Sequence, residues 1–146
     1  MVGRGDSTVD LFDGESIPLP SSKEITIQTS PVVAVVKTSP QTVLDDVKAA
    51  MNLAGYKCAL PQDFATLLKI NISWQHYYPA CSTTPWQLDG VIRTLMEDGY
   101  KDIIPTHNGT VVVDAKEGRV KNGHKFVEEL HSLDPIHLEA VSYTHL

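Results

Sequence analysis

The chain has 146 residues, of which 42% are hydrophobic and 21% are charged. This composition argues against an intrinsically disordered chain, which would be poorer in apolar residues. The formal net charge is −6 and the lysines and arginines do not cluster, whereas a nucleic-acid-binding surface needs concentrated positive charge. We therefore expect a globular domain whose partners are not nucleic acids.

The sequence shows no targeting or metal-binding pattern. The N-terminus lacks the apolar core of a signal peptide, and no apolar run approaches the roughly 20 residues of a membrane helix. We expect a cytoplasmic protein that does not enter the membrane. Cys58 and Cys81 fit neither a disulfide framework nor a zinc or iron–sulfur ligand set, and His76 does not complete one. They are predicted to be two buried free thiols.

The first 30 residues are predicted to form a peripheral arm. They mix glycine, serine, proline and acidic residues with isolated apolar residues, and weak order is expected before about residue 22. Residues 24–28 alternate polar and apolar side chains, as a short edge strand does. We divide the rest of the chain into an α/β domain at residues 31–140 and a tail at residues 141–146.

The α/β domain opens with a β-branched run at residues 32–36. Such a run predicts a strand that is buried on both faces. Ser39 is a predicted helix cap and Pro40 a predicted first-turn residue. Apolar residues then follow at helical spacing until Gly55, which should end the helix.

The next pair of elements is a strand at residues 66–72 and a second helix. Between them lies an aromatic, irregular segment. Thr84 is the predicted N-cap of the helix, Pro85 its first residue, and Gln87 the partner of Thr84 in a capping box. Gly99 should end this helix.

The last part of the domain carries a third strand, at residues 102–106, and a turn at residues 107–109. Residues 118–123 read as a loop and residues 136–141 as another strand. Between them, residues 125–131 predict a short helix whose apolar side consists of Phe126, Val127 and Leu130. Alternating strands and helices predict an α/β fold, with a mainly parallel sheet, right-handed crossovers and helices on both faces.

Several short motifs follow this predicted order of elements. They are Lys69-Ile70-Asn71 after the second strand, Ser82-Thr83-Thr84-Pro85 before a helix with Val91-Ile92 and Gly99, His107-Asn108 at the third strand, and Asn122-Gly123-His124-Lys125 before the short helix. From Val32 to Leu138, this series resembles the N-terminal portion of the domain-of-unknown-function family 362. Ile70 stands where that family usually has proline.

The resemblance implies a longer protein and a redox association. Members of this family are usually longer, and some carry ferredoxin-like cysteine clusters. This chain has two cysteines, so the resemblance implies no cofactor in this chain and an iron–sulfur cluster only in a missing C-terminal part. Residues 141–146 also resemble translated sequencing adaptor, which predicts that the chain is a truncated part of a larger domain. The alternative is a natural short C-terminus.

A candidate ligand site follows from the predicted sheet. In an open parallel sheet, ligands bind outside the carboxyl ends of the strands. A helix N-terminus and a lysine there suit an anion, and His107 is a weak catalytic candidate that could move a proton near neutral pH. The predicted ligand-binding residues are Lys69, Asn71, Ser82, Thr83, Thr84 and Asn108.

Each of these residues also has a structural interpretation. Thr84 would cap its helix, and Asn108 before Gly109 is ordinary turn chemistry. The leading functional hypothesis is a domain that binds a small anionic ligand as part of a redox-linked enzyme. The alternative is a non-catalytic accessory or scaffold domain that partners an iron–sulfur protein.

Overall fold

The structure, a computed structural model, describes residues 8–10, 16–18, 32–78, 80–109 and 113–138. The chain divides into two compact units, Met1–Pro31 and Val32–Leu146. In the first unit, strands β1 (Thr8–Asp10) and β2 (Ser16–Pro18) pair antiparallel. The predicted edge strand at residues 24–28 lies outside the described residues.

The second unit contains a parallel sheet in the order β3-β4-β5. The α/β class with a parallel sheet is therefore confirmed. Within the part of the chain that the structure describes, no helix is long and apolar enough to cross a membrane. The elements of this unit are α1 (Val43–Leu53), α2 (Tyr56–Ala59), β3 (Thr66–Ile70), α3 (Pro85–Glu97), β4 (Ile103–Asn108), α4 (Ala115–Lys121), α5 (His124–Leu130) and β5 (Ile136–Leu138).

The main core lies between the sheet and helices α3 and α5. Ile70 of β3 packs with Ile92 of α3 and Val127 of α5, and burying such side chains contributes about 1.5–3 kcal/mol each. Leu67 and Lys69 alternate with Ile70 and are exposed, Leu67 by 65%. For the described residues, helical cover is thus confirmed on the Ile70 face of β3.

The predicted strand at residues 32–36 is wrong. This segment is irregular, and Val33 and Val35 are 83% and 84% exposed. A strand buried on both faces needs neighbours on the sheet, whereas β3 pairs with β4 alone among the described strands. The preference of valine for strands depends on this packing more than on the backbone itself.

The two predicted helix starts have different outcomes. Helix α1 begins at Val43 rather than near Pro40, because the Thr42 amide donates to the Ser39 carbonyl at 3.1 Å and forms a turn there. Helix α3 begins at Pro85 after Thr84, as predicted. The predicted capping box is wrong, since the Thr84 side chain makes no capping hydrogen bond.

The predicted loop at residues 118–123 is also wrong, because residues 115–121 form helix α4. Asp114 is its N-cap, and the Asp114 carboxylate accepts the Glu117 amide hydrogen at 2.9 Å. The sequence did not predict this helix because Gly118 lies within it and glycine disfavours helices. The structure explains the glycine, because a Cβ there would lie 2.5 Å from Ile72 Cγ2.

The remaining predictions hold in part. The short helix at residues 125–131 is present as α5, and residues 136–138 of the last predicted strand form β5, while residues 139–141 lie outside the described part.

The prediction of two buried thiols is wrong, because Cys58 is exposed and Cys81 is half-buried. Both lie in irregular or short elements near the surface, where the sheet does not cover them.

The exposed valines lead to a first testable prediction. Replacing Val33 and Val35 together with threonine is expected to reduce self-association, because it removes exposed apolar surface from this irregular segment. Light scattering after gel filtration measures the change. Lys37→Thr in the same segment is the control, since it removes no apolar surface. Equal association of the double variant and the wild type would contradict the prediction.

Candidate functional site

The loop after β3 and the start of α3 are joined by hydrogen bonds between two predicted site residues. The Thr83 amide donates to the Asn71 carbonyl at 3.0 Å, and the Asn71 amide donates to Thr83 Oγ1 at 3.1 Å. This pairing continues the direction of β3 and places Thr83 at the carboxyl edge of the sheet. The structure therefore brings Asn71 and Thr83 together, as the sequence predicted for an edge site.

Ser82 joins the same loop through a further contact. Its Oγ accepts the Ser73 amide hydrogen at 3.2 Å, while the Asn71 side chain donates to Ser73 Oγ at 2.7 Å and to the Cys81 carbonyl at 3.3 Å. The Asn71 amide is thus occupied within the loop. By contrast, the Ser82 and Thr83 hydroxyls each accept one backbone hydrogen, and their own O–H groups remain able to donate.

A cavity of about 90 Å³ lies at the N-terminus of α3. Ser82, Thr83 and Thr84 line it on one side, and Tyr77 and Tyr78 are among its aromatic neighbours. Its volume suits a few water molecules or one small anionic group. Tyr77 and Tyr78 belong to the segment that was predicted to be aromatic and irregular, and they lie beside the predicted ligand-binding residues.

The N-terminus of α3 lacks a side-chain cap. The first amides of a helix have no partner within the helix, and Thr84 does not supply one to Trp86 or Gln87. A helix N-terminus also carries about half a positive charge. The edge of the cavity therefore offers hydrogen-bond donors and a favourable field to a negatively charged group.

Of the remaining predicted site residues, Lys69 does not join this cluster, and the side chain of Asn108 is not described. Lys69 is exposed on β3 and does not line the cavity. Asn108 is the last residue of β4, and its side chain lies outside the described part. Among the described residues, the cavity is lined mainly by the loop before α3 and the first residues of α3.

His107 lies in a buried cluster of charged side chains beneath the edge. The Glu128 carboxylate accepts a hydrogen bond from His107 Nε2 at 2.6 Å, and its second oxygen accepts one from Arg119 Nε. His107 and Glu128 are fully buried. Burial raises the pKa of Glu128, but the hydrogen bonds from His107 and Arg119 outweigh this effect and hold the pKa below its ordinary value.

His124 connects this cluster to the cavity. Its Nε2 donates to the Thr83 carbonyl at 2.6 Å, and its ring centre lies 6.2 Å from that of His107. Burial lowers the pKa of His124, and the hydrogen bond to Thr83 offsets part of this decrease. A neutral imidazole with hydrogen on Nε2 therefore fits this position, because a carbonyl oxygen can only accept.

Two ring nitrogens in the cluster are buried without a partner. Within the residues that the structure describes, no hydrogen bond reaches Nδ1 of His107 or of His124. A buried polar atom without a partner costs about 1–3 kcal/mol, so such atoms often mark functional positions. The ring centre of His137, an exposed residue, lies 5.6 Å from that of His107. Partial burial lowers the pKa of His137, and the neighbouring His107 lowers it further.

The sequence did not predict Arg119, His124 or Glu128 as members of this cluster. The predicted apolar side of α5 is wrong, since Phe126 and Leu130 are 69% and 52% exposed. The face around Val127 that turns inward carries His124 and Glu128, four residues apart. The i, i+4 spacing of His124 and Glu128 could have indicated that they share one face of the helix. Polar residues on one face of a short helix ordinarily indicate a solvated face, however, so their burial was not predicted.

The described structure is that of an α/β protein with a parallel sheet and a small cavity at the N-terminus of α3. Among the described residues, no group of three or more histidine, cysteine, aspartate or glutamate side chains is arranged to hold a metal ion. Comparisons with protein-family models, with curated proteins and with solved structures found no match for this chain. The resemblance to family 362 therefore stays a prediction.

Proposed function

We propose that this chain binds a small molecule through a carboxylate or phosphate group at the N-terminus of α3. The observation that carries this proposal is the uncapped start of a 13-residue helix facing a cavity that is lined by Ser82, Thr83 and Thr84. The helix supplies free amides, and the hydroxyls supply O–H donors. An anion there would satisfy groups that the described protein leaves without acceptors.

The size of the cavity limits what enters it. About 90 Å³ admits one charged group, so the rest of an organic ligand would lie outside against Tyr77 and Tyr78, which are exposed. Aromatic rings offer apolar contact area and edge or face contacts to such a body. The substrate class is therefore a small organic acid or phosphate ester.

The wider role is the one that the family resemblance implies. We propose that the chain is the N-terminal portion of a cytoplasmic, redox-linked enzyme of family 362, without a metal or cofactor of its own. Any iron–sulfur cluster would belong to a part of the protein beyond this chain. The acidic net charge of −6 supports a role without nucleic acid.

Titration with inorganic phosphate and with acetate tests the proposed site. Thr84→Val is expected to weaken phosphate binding by about tenfold, because it removes one donor to a charged group and keeps the shape of the side chain. Isothermal calorimetry measures the affinity. Thr84 makes no capping hydrogen bond, so this variant should fold as the wild type does.

The control is Thr42→Val at the N-cap of α1, which does not line this cavity. Lys69→Met is expected to change the affinity by less than about twofold, because an exposed charge is screened by solvent and salt. Wild-type phosphate affinity in Thr84→Val and Thr83→Val would contradict the proposed site. A large loss of phosphate affinity in Lys69→Met alone would place the anion elsewhere on the sheet.

A second candidate function is an accessory or scaffold domain that partners an iron–sulfur protein. Phe126 and Leu130, one turn apart on α5, are exposed and favour a docking role, since exposed apolar patches mark interaction surfaces. This role predicts that phosphate does not bind. It also predicts that Phe126→Ser lowers the association of this chain with its partner protein, measured by sedimentation. Lys125→Ser, at the neighbouring residue, should leave that association unchanged.

A further inference from the structure

The junction between α4 and α5 contacts the cavity region at three successive residues. Asn122 lines the cavity, and His124 donates to the Thr83 carbonyl. Between them, Gly123 has a φ of 79°, and a Cβ there would lie 3.0 Å from Pro85 Cγ. Glycine adopts this left-handed conformation without strain, so the chain can make the turn between α4 and α5 at this residue. A movement here would alter the walls of the cavity directly.

His124 occupies a position that suits a neutral ring and opposes a charged one. The side chain is fully buried, and in the described part of the chain its Nδ1 has no partner. His124 is also the first residue of α5, where the positive end of the helix dipole disfavours a cation. A proton on Nδ1 would create a buried N–H group that has no acceptor.

The charged and polar groups around His124 come from β4, α4, α5 and the loop before α3. His107 of β4 lies beside the His124 ring, and Arg119 of α4 adds positive charge. The Glu128 carboxylate of α5 adds negative charge, and its two oxygens already accept hydrogen bonds from His107 and Arg119. The loop before α3 contributes the Thr83 carbonyl. Burial lowers the pKa of His124 from its ordinary 6.5, the hydrogen bond to Thr83 partly offsets this, and His107 lowers it further.

We propose that His124 is a proton-operated latch that holds the start of α5 against the loop preceding α3. The neutral ring keeps the junction closed, and a proton on Nδ1 opens it and loosens residues 81–84. This regulation rests on the proposed function, because the cavity it controls is the proposed anion site. The closed form is fully favoured above pH 6.5 and is lost as the pH falls below that value, since the released ring binds the proton more tightly.

Amide hydrogen exchange without phosphate tests the latch in the whole chain. Between about pH 7.5 and about pH 5.5, after correction for the intrinsic exchange rate, protection of residues 81–84 and 123–127 is expected to fall about tenfold. In His124→Gln the side-chain amide can still donate to Thr83 but cannot gain a proton, so the fall should disappear. His137→Gln is the control: it replaces an exposed neighbour of His107, and the fall in protection should persist in this variant.

An equal fall in the wild type and in His124→Gln would overturn the latch. If His124→Gln does not fold, the Cε1 proton of each histidine is titrated by NMR in the wild type instead. Opening that follows the titration of His124 supports the latch, whereas opening that follows His107 or His137 overturns it.

Phosphate binding at about pH 7.5 separates the latch from the function on which it rests. If phosphate does not bind while exchange still depends on His124, the anion site is contradicted and the conformational latch stands. If phosphate binds while exchange does not depend on His124, the latch is contradicted and the anion site stands.

Discussion

Replacing Glu128 with glutamine is expected to lower the free energy of unfolding by about 3–5 kcal/mol, the cost of breaking a buried ion pair. The carboxylate accepts hydrogen bonds from His107 and Arg119 with its two oxygens. Glutamine retains one acceptor and presents an NH₂ group to a donor, so one hydrogen bond becomes a donor–donor contact. Arg119 would then keep its charge in a partly buried place without a counterion.

Urea denaturation monitored by circular dichroism measures this loss, and Glu129→Gln is the matched control. Glu129 is the next residue on α5, is exposed and faces Lys125 at 3.5 Å. Exposed ion pairs contribute little, so the control should stay within about 0.5 kcal/mol of the wild type. Similar small losses for both variants would show that the buried cluster does not hold α5 in place.

Gly118→Ala is expected to destabilise the protein by about 1–3 kcal/mol through overpacking. In an ordinary helix the same change stabilises by about 0.5–1 kcal/mol, because alanine loses less backbone entropy than glycine. Here the added Cβ would lie 2.5 Å from Ile72 Cγ2 and 3.3 Å from Gln75 Cα. Because Ile72 is buried and Gln75 contributes backbone, α4 must move away from the loop after β3.

Thermal and urea denaturation measure this effect, and the sign of the change is decisive. Lys116→Ala on the exposed side of α4 is the control and should be nearly neutral. A stabilised Gly118→Ala variant would mean that α4 does not approach Ile72 as closely as the structure shows. A destabilised variant supports the packing that also positions Arg119 beside Glu128.

The elements that the sequence predicted well are those with local signals. Thr84 followed by Pro85 placed the start of α3 at the correct residue, and α1 and α3 end just before Gly55 and Gly99, as predicted. These signals depend on backbone conformation at a few residues and do not need tertiary contacts.

The elements predicted wrongly depend on contacts distant in the chain. Residues 32–36 have the composition of a strand but no partner strand among the described residues. Gly118 disfavours a helix locally, and its close approach to Ile72 gives the physical reason for the residue. Neither effect can be derived from the neighbouring sequence alone.

The candidate site divides in the same way. Ser82, Thr83 and Thr84 were predicted together because they precede one helix, and the structure places them around one cavity. The cluster of Arg119 and Glu128 with His107 depends on how α5 is rotated, and that rotation turns Phe126 outward against the apolar pattern. This rotation buries His124 and Glu128 together with Val127, and the spacing of apolar residues in the sequence does not indicate that polar side chains will be buried there.

Chemical-shift mapping with inorganic phosphate tests the central proposal most directly. In a ¹H–¹⁵N NMR titration at about pH 7.5, the proposed site predicts saturable shifts in the backbone amides of residues 82–84, 86 and 87 and in the indole N–H of Trp86, a residue that lines the cavity. Thr84→Val should weaken these shifts and Thr42→Val should not. No shift in residues 82–87, or saturable shifts confined to Lys69 and its neighbours, would contradict an anion site at the start of α3.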